Sequence, residues 1–257
     1  MEKDILKRDI IEQSRHLFIY GYKGEKRKEL LKSIEELYPT RMDSKDPIAI
    51  YVEEYGLPKQ PIDRSLDRTR LNTVAREHLQ FSIASDILRS AQRNYSVKEL
   101  TVKLEQLLKR MDLSGRKIKD SNELMSILQE SKDFYKEYYE QYTTNGTELN
   151  INSIRIPFMM LELWVADYKR QMNIDSHLGI MIDNQEPISS LSVQNINSFV
   201  GSRCNKDISM KIATEPDDWS SYVDPNGQFV EAVHDYGTIE IDDCYRKVLE
   251  REKQRRG

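Results

Sequence analysis

Only two cysteines, Cys204 and Cys244, occur in 257 residues, and their spacing is not of the metal-binding type. That excludes a disulfide framework and points to a reducing compartment, so the Asn-x-Ser/Thr triplets at Asn94 and Asn145 are expected to be accidental. No run approaches the ~18 apolar residues a membrane span needs, and no apolar leader follows Met1. The expectation is a cytoplasmic protein with no membrane contact. Positive charge is not in excess either: 39 basic residues face 43 acidic ones, net −4, so no overall field draws the chain onto nucleic acid or anionic lipid. His16, His78, His177 and His234 are scattered, which argues against metal ligation. No G-x-S-x-G elbow occurs.

The hydrophobic fraction of 38% against 32% charged residues is that of a chain that folds. Residues 2–15 read as an amphipathic helix. Leu17-Phe18-Ile19-Tyr20 then forms a short apolar run stopping at Gly21, as a buried strand entering a loop does. A helix with Leu30, Leu31, Ile34 and Leu37 on one face is closed by Pro39, and Pro47–Val52 reads as a second strand. The opening is therefore β-α-β.

From about 66 to 145 the pattern is helical. One stripe runs through Val74, His78 and Phe81, another through Leu100, Leu104, Leu107 and Met111, and a third through Leu124, Leu128, Tyr135, Tyr139 and Tyr142. The aromatic set Phe134, Tyr135, Tyr138, Tyr139 and Tyr142 could stack bases, but two aromatic columns on one helix more often pack against a neighbouring helix. A helix over about 155–173 leads to Leu178–Asp183, an apolar run ending in a carboxylate. A helix over 190–202, a strand over 208–214, the Asp224–Gly227 turn and a short strand over 238–241 follow. Strands alternating with helices imply a mainly parallel sheet with helices on both faces and ligands at the carboxyl ends of the strands.

Gly21 to Lys28 occupies the turn where a phosphate-binding loop belongs. The pattern G-x-x-x-x-G-K-[ST] keeps Gly21 and an internal Gly24, but Lys26, Arg27 and Lys28 stand where Gly, Lys and Ser/Thr should be. Lys26 removes the glycine that lets backbone N–H groups curl around phosphates. Arg27 is too bulky and planar to take a lysine's path between phosphates, and Lys28 replaces the hydroxyl that would ligate Mg²⁺. The favoured reading of these cations is a solvated turn partly neutralised by Glu25 and Glu29; the alternative is a retained anion site. After the third strand, Asp183 survives where a P-loop ATPase holds Mg²⁺, while Asn184 takes the place of the glutamate that orients the attacking water. Glu186 comes two residues too late. Thr214 ends the next strand at a position suited to sensing a γ-phosphate. Arg203 could serve as an arginine finger, though a solvated helix-end cation is the commoner reading.

Several segments together resemble AAA+ ATPases of the origin-recognition-complex type. They are Phe18–Leu31, Leu178–Asp183, Gln194–Asn197, Lys211–Trp219, Gly227, His234–Tyr236 and Ile239–Asp242. The resemblance implies a P-loop NTPase-like α/β fold of AAA+ type, with five mainly parallel strands ordered 5-1-4-3-2. The core would cover about 15–60 and 150–243, with a large helical insertion over 66–145 and a charged helix over 243–257. It implies ATP as cofactor in a crevice bordered by Gly21, Gly24, Lys26, Arg27, Lys28, Asp183 and Thr214, with Mg²⁺ at Asp183, and assembly with protein partners or further copies. The helical lid and DNA-binding parts of such relatives are not expected here, so nucleic acid would be reached through a partner. Glu215 stands where such relatives carry a basic residue. The reading is a degenerate, non-hydrolysing subunit acting through protein contacts. Its rivals are an active ATPase with a non-standard loop and a nucleic-acid-binding module using Lys23–Lys28 and the basic tail.

Overall fold

The computed structural model describes residues 2–21, 25–63, 65–111, 118–146, 161–184, 188–201, 206–215, 218–232 and 234–241. Gly24, Glu186, Arg203, the first turns of the helix expected from residue 155 and the helix expected over 243–257 lie outside them. Five strands, β1 (His16–Tyr20), β2 (Ile48–Val52), β3 (Leu178–Asp183), β4 (Ile208–Ala213) and β5 (Tyr236–Glu240), form one sheet in the order β2-β3-β4-β1-β5. Every pairing is parallel. Read from the other edge, this is the order 5-1-4-3-2.

Strand alternation divides the core between the two faces. Phe18, Ile50, Val52, Ile180, Ile182, Met210 and Ile212 point into one cluster. It is covered by α3 (Arg68–Gln92), α6 (Ser121–Asn145), α7 (Leu161–Met172) and α8 (Ser190–Gly201). Leu17, Ile19, Ala49, Tyr51 and Met181 point the other way, against α1 (Glu2–Ile11) and α2 (Glu25–Leu37). Helices therefore lie on both faces.

Between β2 and β3 the described chain is helical: α3, α4 (Val97–Lys103), α5 (Glu105–Met111), α6 and α7. Asp67 caps α3 by accepting from Thr69 and Arg70 N–H, Ser96 and Glu99 form a capping box on α4, and Asp120 caps α6. Gly146 ends α6 at φ 65°, a left-handed backbone that glycine adopts without strain. The stripe expected as one helix through Leu100, Leu104 and Leu107 breaks at Leu104 into α4 and α5. Tyr135, Tyr138, Tyr139 and Tyr142 are buried, and Tyr135 stacks on Phe81 of α3 at 5.7 Å. The aromatic columns are packing surface.

β2 is an edge strand whose outward amides would invite another chain. Ala49 N–H donates to Tyr38 O at 2.9 Å and Tyr51 N–H to Glu35 Oε1 at 3.2 Å, while Arg93 holds Glu35 Oε2 at 2.7 Å. The last turns of α2 and Tyr38 just after it thus close this edge. α1 stops at Ile11, short of the expected residue 15; Ile11 O faces His177 Nε2 at 2.9 Å, and Arg15 O accepts from Lys211 Nζ at 2.8 Å. β5 starts at Tyr236, two residues earlier than expected, paired with His16. No described helix is long and apolar enough to cross a membrane.

Candidate functional site

The carboxyl ends of β1, β3 and β4 meet at one rim, and backbone hydrogen bonds carry the register one residue past the strands. Asn184 N–H donates to Ala213 O at 2.8 Å and Thr214 N–H to Ile19 O at 3.0 Å. Gly21, at φ 98°, turns the chain out of β1 in a conformation that side-chain-bearing residues rarely adopt. Asp183, Asn184, Thr214 and the first turn of α2 are thereby brought together.

Arg27 fills the space between them. It is 3% exposed, and its Nε donates to Asp183 Oδ1 at 2.6 Å while Nη2 donates to Asn184 O at 3.0 Å. Nη1 stands 3.6 Å from Glu215 Oε1, an ion-pair distance too long for a hydrogen bond. Asp183 lies 156 residues away in sequence. The expectation of a solvated turn neutralised by Glu25 and Glu29 is therefore corrected for Arg27, whose partners are Asp183 and Glu215. The planar fork of donors suits a carboxylate, and burial makes the pairing decisive because an unpaired charge there would be costly. Lys26 is exposed and Lys28 half-exposed; for them the solvated reading stands. Glu53, bonded to Lys32 at 3.0 Å and also facing Lys28, has its carboxyl held below its ordinary value, chiefly by Lys32.

Asn184 is 4% exposed. Its Nδ2 donates to Thr214 Oγ1 at 3.1 Å and toward Asp218 O at 3.3 Å, and the Thr214 hydroxyl in turn donates a hydrogen bond to Glu215 O at 3.0 Å. The Tyr55 hydroxyl points at Asp183 O at 3.2 Å and Asn184 Oδ1 at 3.3 Å. An amide supplies both donors and an acceptor here, which a glutamate could not. Burial first, and then the charge of Asp183, raises the Tyr51 phenol.

This geometry bears directly on the cofactor that the resemblance implies. A divalent cation at Asp183 would have to share a buried carboxylate with the guanidinium bonded to Oδ1 at 2.6 Å, and Lys28 stands where the metal-binding hydroxyl is expected. A γ-phosphate beside Thr214 would meet Glu215 and an Asn184 amide already engaged. The residues present do not fit Mg²⁺-ATP in the usual pose. Among the described residues no group of three His, Cys, Asp or Glu is placed to hold a metal.

Two members of the site were not singled out from sequence. Glu215 stands out in the sequence only as a sign reversal against the family the chain resembles; under that resemblance an acid in place of a base, with an arginine in place of a lysine elsewhere, reads as a compensating pair. Tyr55 carried no signal: it follows the second strand in an ordinary loop.

No protein-family model matches the chain, and no curated protein is significantly similar to it.

Proposed function

We propose that the chain is a degenerate AAA+-like subunit of a cytoplasmic complex, a protein-interaction or regulatory component that does not hydrolyse ATP. The observation that carries this reading is the Arg27 side chain, buried in the crevice and bonded to Asp183, the residue that would otherwise serve the metal. The sheet order and the positions of Asp183 and Thr214 at the strand tips support the P-loop lineage. Asn184, Arg27 and Lys28 stand where a water-orienting acid, a phosphate-binding lysine and a metal-binding hydroxyl would be needed, and each is tied into other contacts or chemically unsuited. What remains useful to a complex is the surface that the intact sheet and the helices between β2 and β3 present to a partner, which is also the route by which the chain would reach nucleic acid.

The test is ATP turnover by the purified chain. The reading expects release of phosphate at background, unchanged by Asp183→Ala. Turnover well above background that disappears in Asp183→Ala would instead establish a working ATPase with a non-standard loop.

A further inference from the structure

Away from the crevice, the C-terminal end of α8 meets the loop that precedes β5, and the two border a pocket of about 370 Å³. Asn197, Ser198 and Gly201 line it from the helix, and Asp224, Phe229 and Asp235 from the loop. Its walls are hydrogen-bonded into place. The buried Asn197 stitches loop to helix: Nδ2 donates to Ser221 O at 2.9 Å and to Val223 O at 3.0 Å, and Oδ1 accepts Trp219 Nε1–H at 3.2 Å. Asp224 Oδ1 accepts Asn226 N–H and Gln228 N–H, both at 2.8 Å. Val230 N–H donates to Tyr222 O at 2.8 Å, and Asp235 Oδ2 accepts Glu231 N–H at 2.8 Å. The turn held in this way displays Phe229, which is 75% exposed.

Three sources of negative potential converge on the pocket. The last carbonyls of α8 form the negative end of its dipole, and the helix has no basic residue in its last turn. Asp224 and Asp235 add two carboxylates, while no lysine or arginine lines the pocket among the described residues. The sequence around it does not compensate: between Lys211 and Arg246 it has nine acidic residues and not one lysine or arginine, in a chain whose net charge is only −4. Such a surface repels nucleic acid and attracts a cation. A metal ion is not the fitting one, because among the described residues no group of three His, Cys, Asp or Glu gathers to hold it. The volume lies at the small end of ligand pockets, which run from roughly 300 to 1,000 Å³, so it suits a side chain. A single exposed phenylalanine is ordinary, but beside carboxylates it offers the face on which a planar cation lies. A guanidinium both forks onto carboxylates and stacks on rings, whereas an ammonium is compact and strongly hydrated.

We infer that this pocket is the docking site for an arginine side chain of a basic partner protein, with Phe229 against the guanidinium and Asp224 and Asp235 as its counter-charge. That the guest belongs to a protein rests on the interaction reading above; the shape and charge of the pocket do not.

Amide-resolved NMR of the intact chain, titrated with a blocked Gly-Arg-Gly peptide, tests this. Saturable shifts are expected at the amides of Ser198, Gly201, Gln228 and Phe229, with a dissociation constant on the order of 1 mM, and several-fold weaker binding of the Gly-Lys-Gly peptide. Phe229→Ala is expected to weaken the arginine peptide about threefold. Asp224→Asn combined with Asp235→Asn, whose amide oxygens can still accept the backbone N–H groups, is expected to weaken it about tenfold. Shifts that do not saturate by about 20 mM, shifts spread over the acidic surface at large, equal binding of the lysine peptide, or unchanged affinity in Phe229→Ala would each overturn the arginine site. Concentration-dependent shifts of the same amides without peptide would make the guest a second copy of the chain and overturn the assignment to a separate partner. The same spectra show whether each variant folds; if the double variant does not, Phe229→Ala and the lysine peptide decide. Failure here with ATP turnover at background leaves the non-hydrolysing reading standing, and turnover above background with the peptide bound removes that reading alone.

Discussion

The Asn184 amide bonds Thr214 Oγ1 at 3.1 Å, tying the tip of β3 to the tip of β4 where an ATPase would need a carboxylate free to orient water. Restoring the acid does not restore the chemistry. In Asn184→Glu the two donors to Thr214 Oγ1 and Asp218 O vanish, and a longer anionic side chain must enter a site that is 4% exposed. The expected outcome is a loss of about 2–4 kcal/mol in stability by urea denaturation with no gain in ATP turnover. An unchanged midpoint accompanied by turnover would contradict this account of Asn184.

Arg27 and Asp183 behave as one unit. Asp183→Ala leaves the guanidinium buried with only a backbone carbonyl and a distant Glu215, so it is expected to cost about 3–5 kcal/mol. Arg27→Met combined with Asp183→Leu removes both charges and is expected to cost clearly less than the two single changes together. A double-mutant cycle by denaturant unfolding measures the coupling. Strict additivity would mean that the 2.6 Å contact carries no energy.

The sheet was readable because its signal is local. Leu17–Tyr20, Ile48–Val52 and Leu178–Asp183 are apolar runs bounded by turn residues, and burial on both faces makes parallel strands read that way. The strand order came from the resemblance, not from periodicity. The crevice is legible in sequence as a run of altered residues, but the burial of Arg27 is not, because its neighbours Lys26, Lys28 and Glu29 are all charged, which locally is the pattern of a solvated turn. Its partner is 156 positions away, and only the folded sheet brings Asp183 under the first turn of α2. The closure of the β2 edge by Glu35 and Arg93 was invisible for the same reason: both residues look like ordinary surface charges of their helices.

His78 provides an acid-sensitivity that can be isolated. It is 1% exposed, neither ring nitrogen has a hydrogen-bond partner among the described residues, and burial, followed by the charges of Lys132 and Lys136, pushes it down to about 3 while Glu54 opposes. A folded-state value below the unfolded 6.5 means stability that is present above about 6.5 and lost as pH falls toward 3. His78→Leu removes no hydrogen bond of the ring and no longer has a proton to take up. It is expected to match or exceed the wild type at pH 7 and to gain on it steadily from pH 6 to 4, as thermal midpoints across that range would reveal. A variant that tracks the wild type in parallel across the same pH range would show that the ring does not titrate as placed.

The central claim is that the chain's own arginine occupies the crevice that a nucleotide would need. Calorimetric titration of the intact chain with ATP, with and without Mg²⁺, tests it most directly. The account predicts no saturable heat at micromolar to millimolar ATP in either condition. Stoichiometric, Mg²⁺-dependent binding that is lost in Arg27→Ala would contradict it, by showing that the guanidinium holds a phosphate.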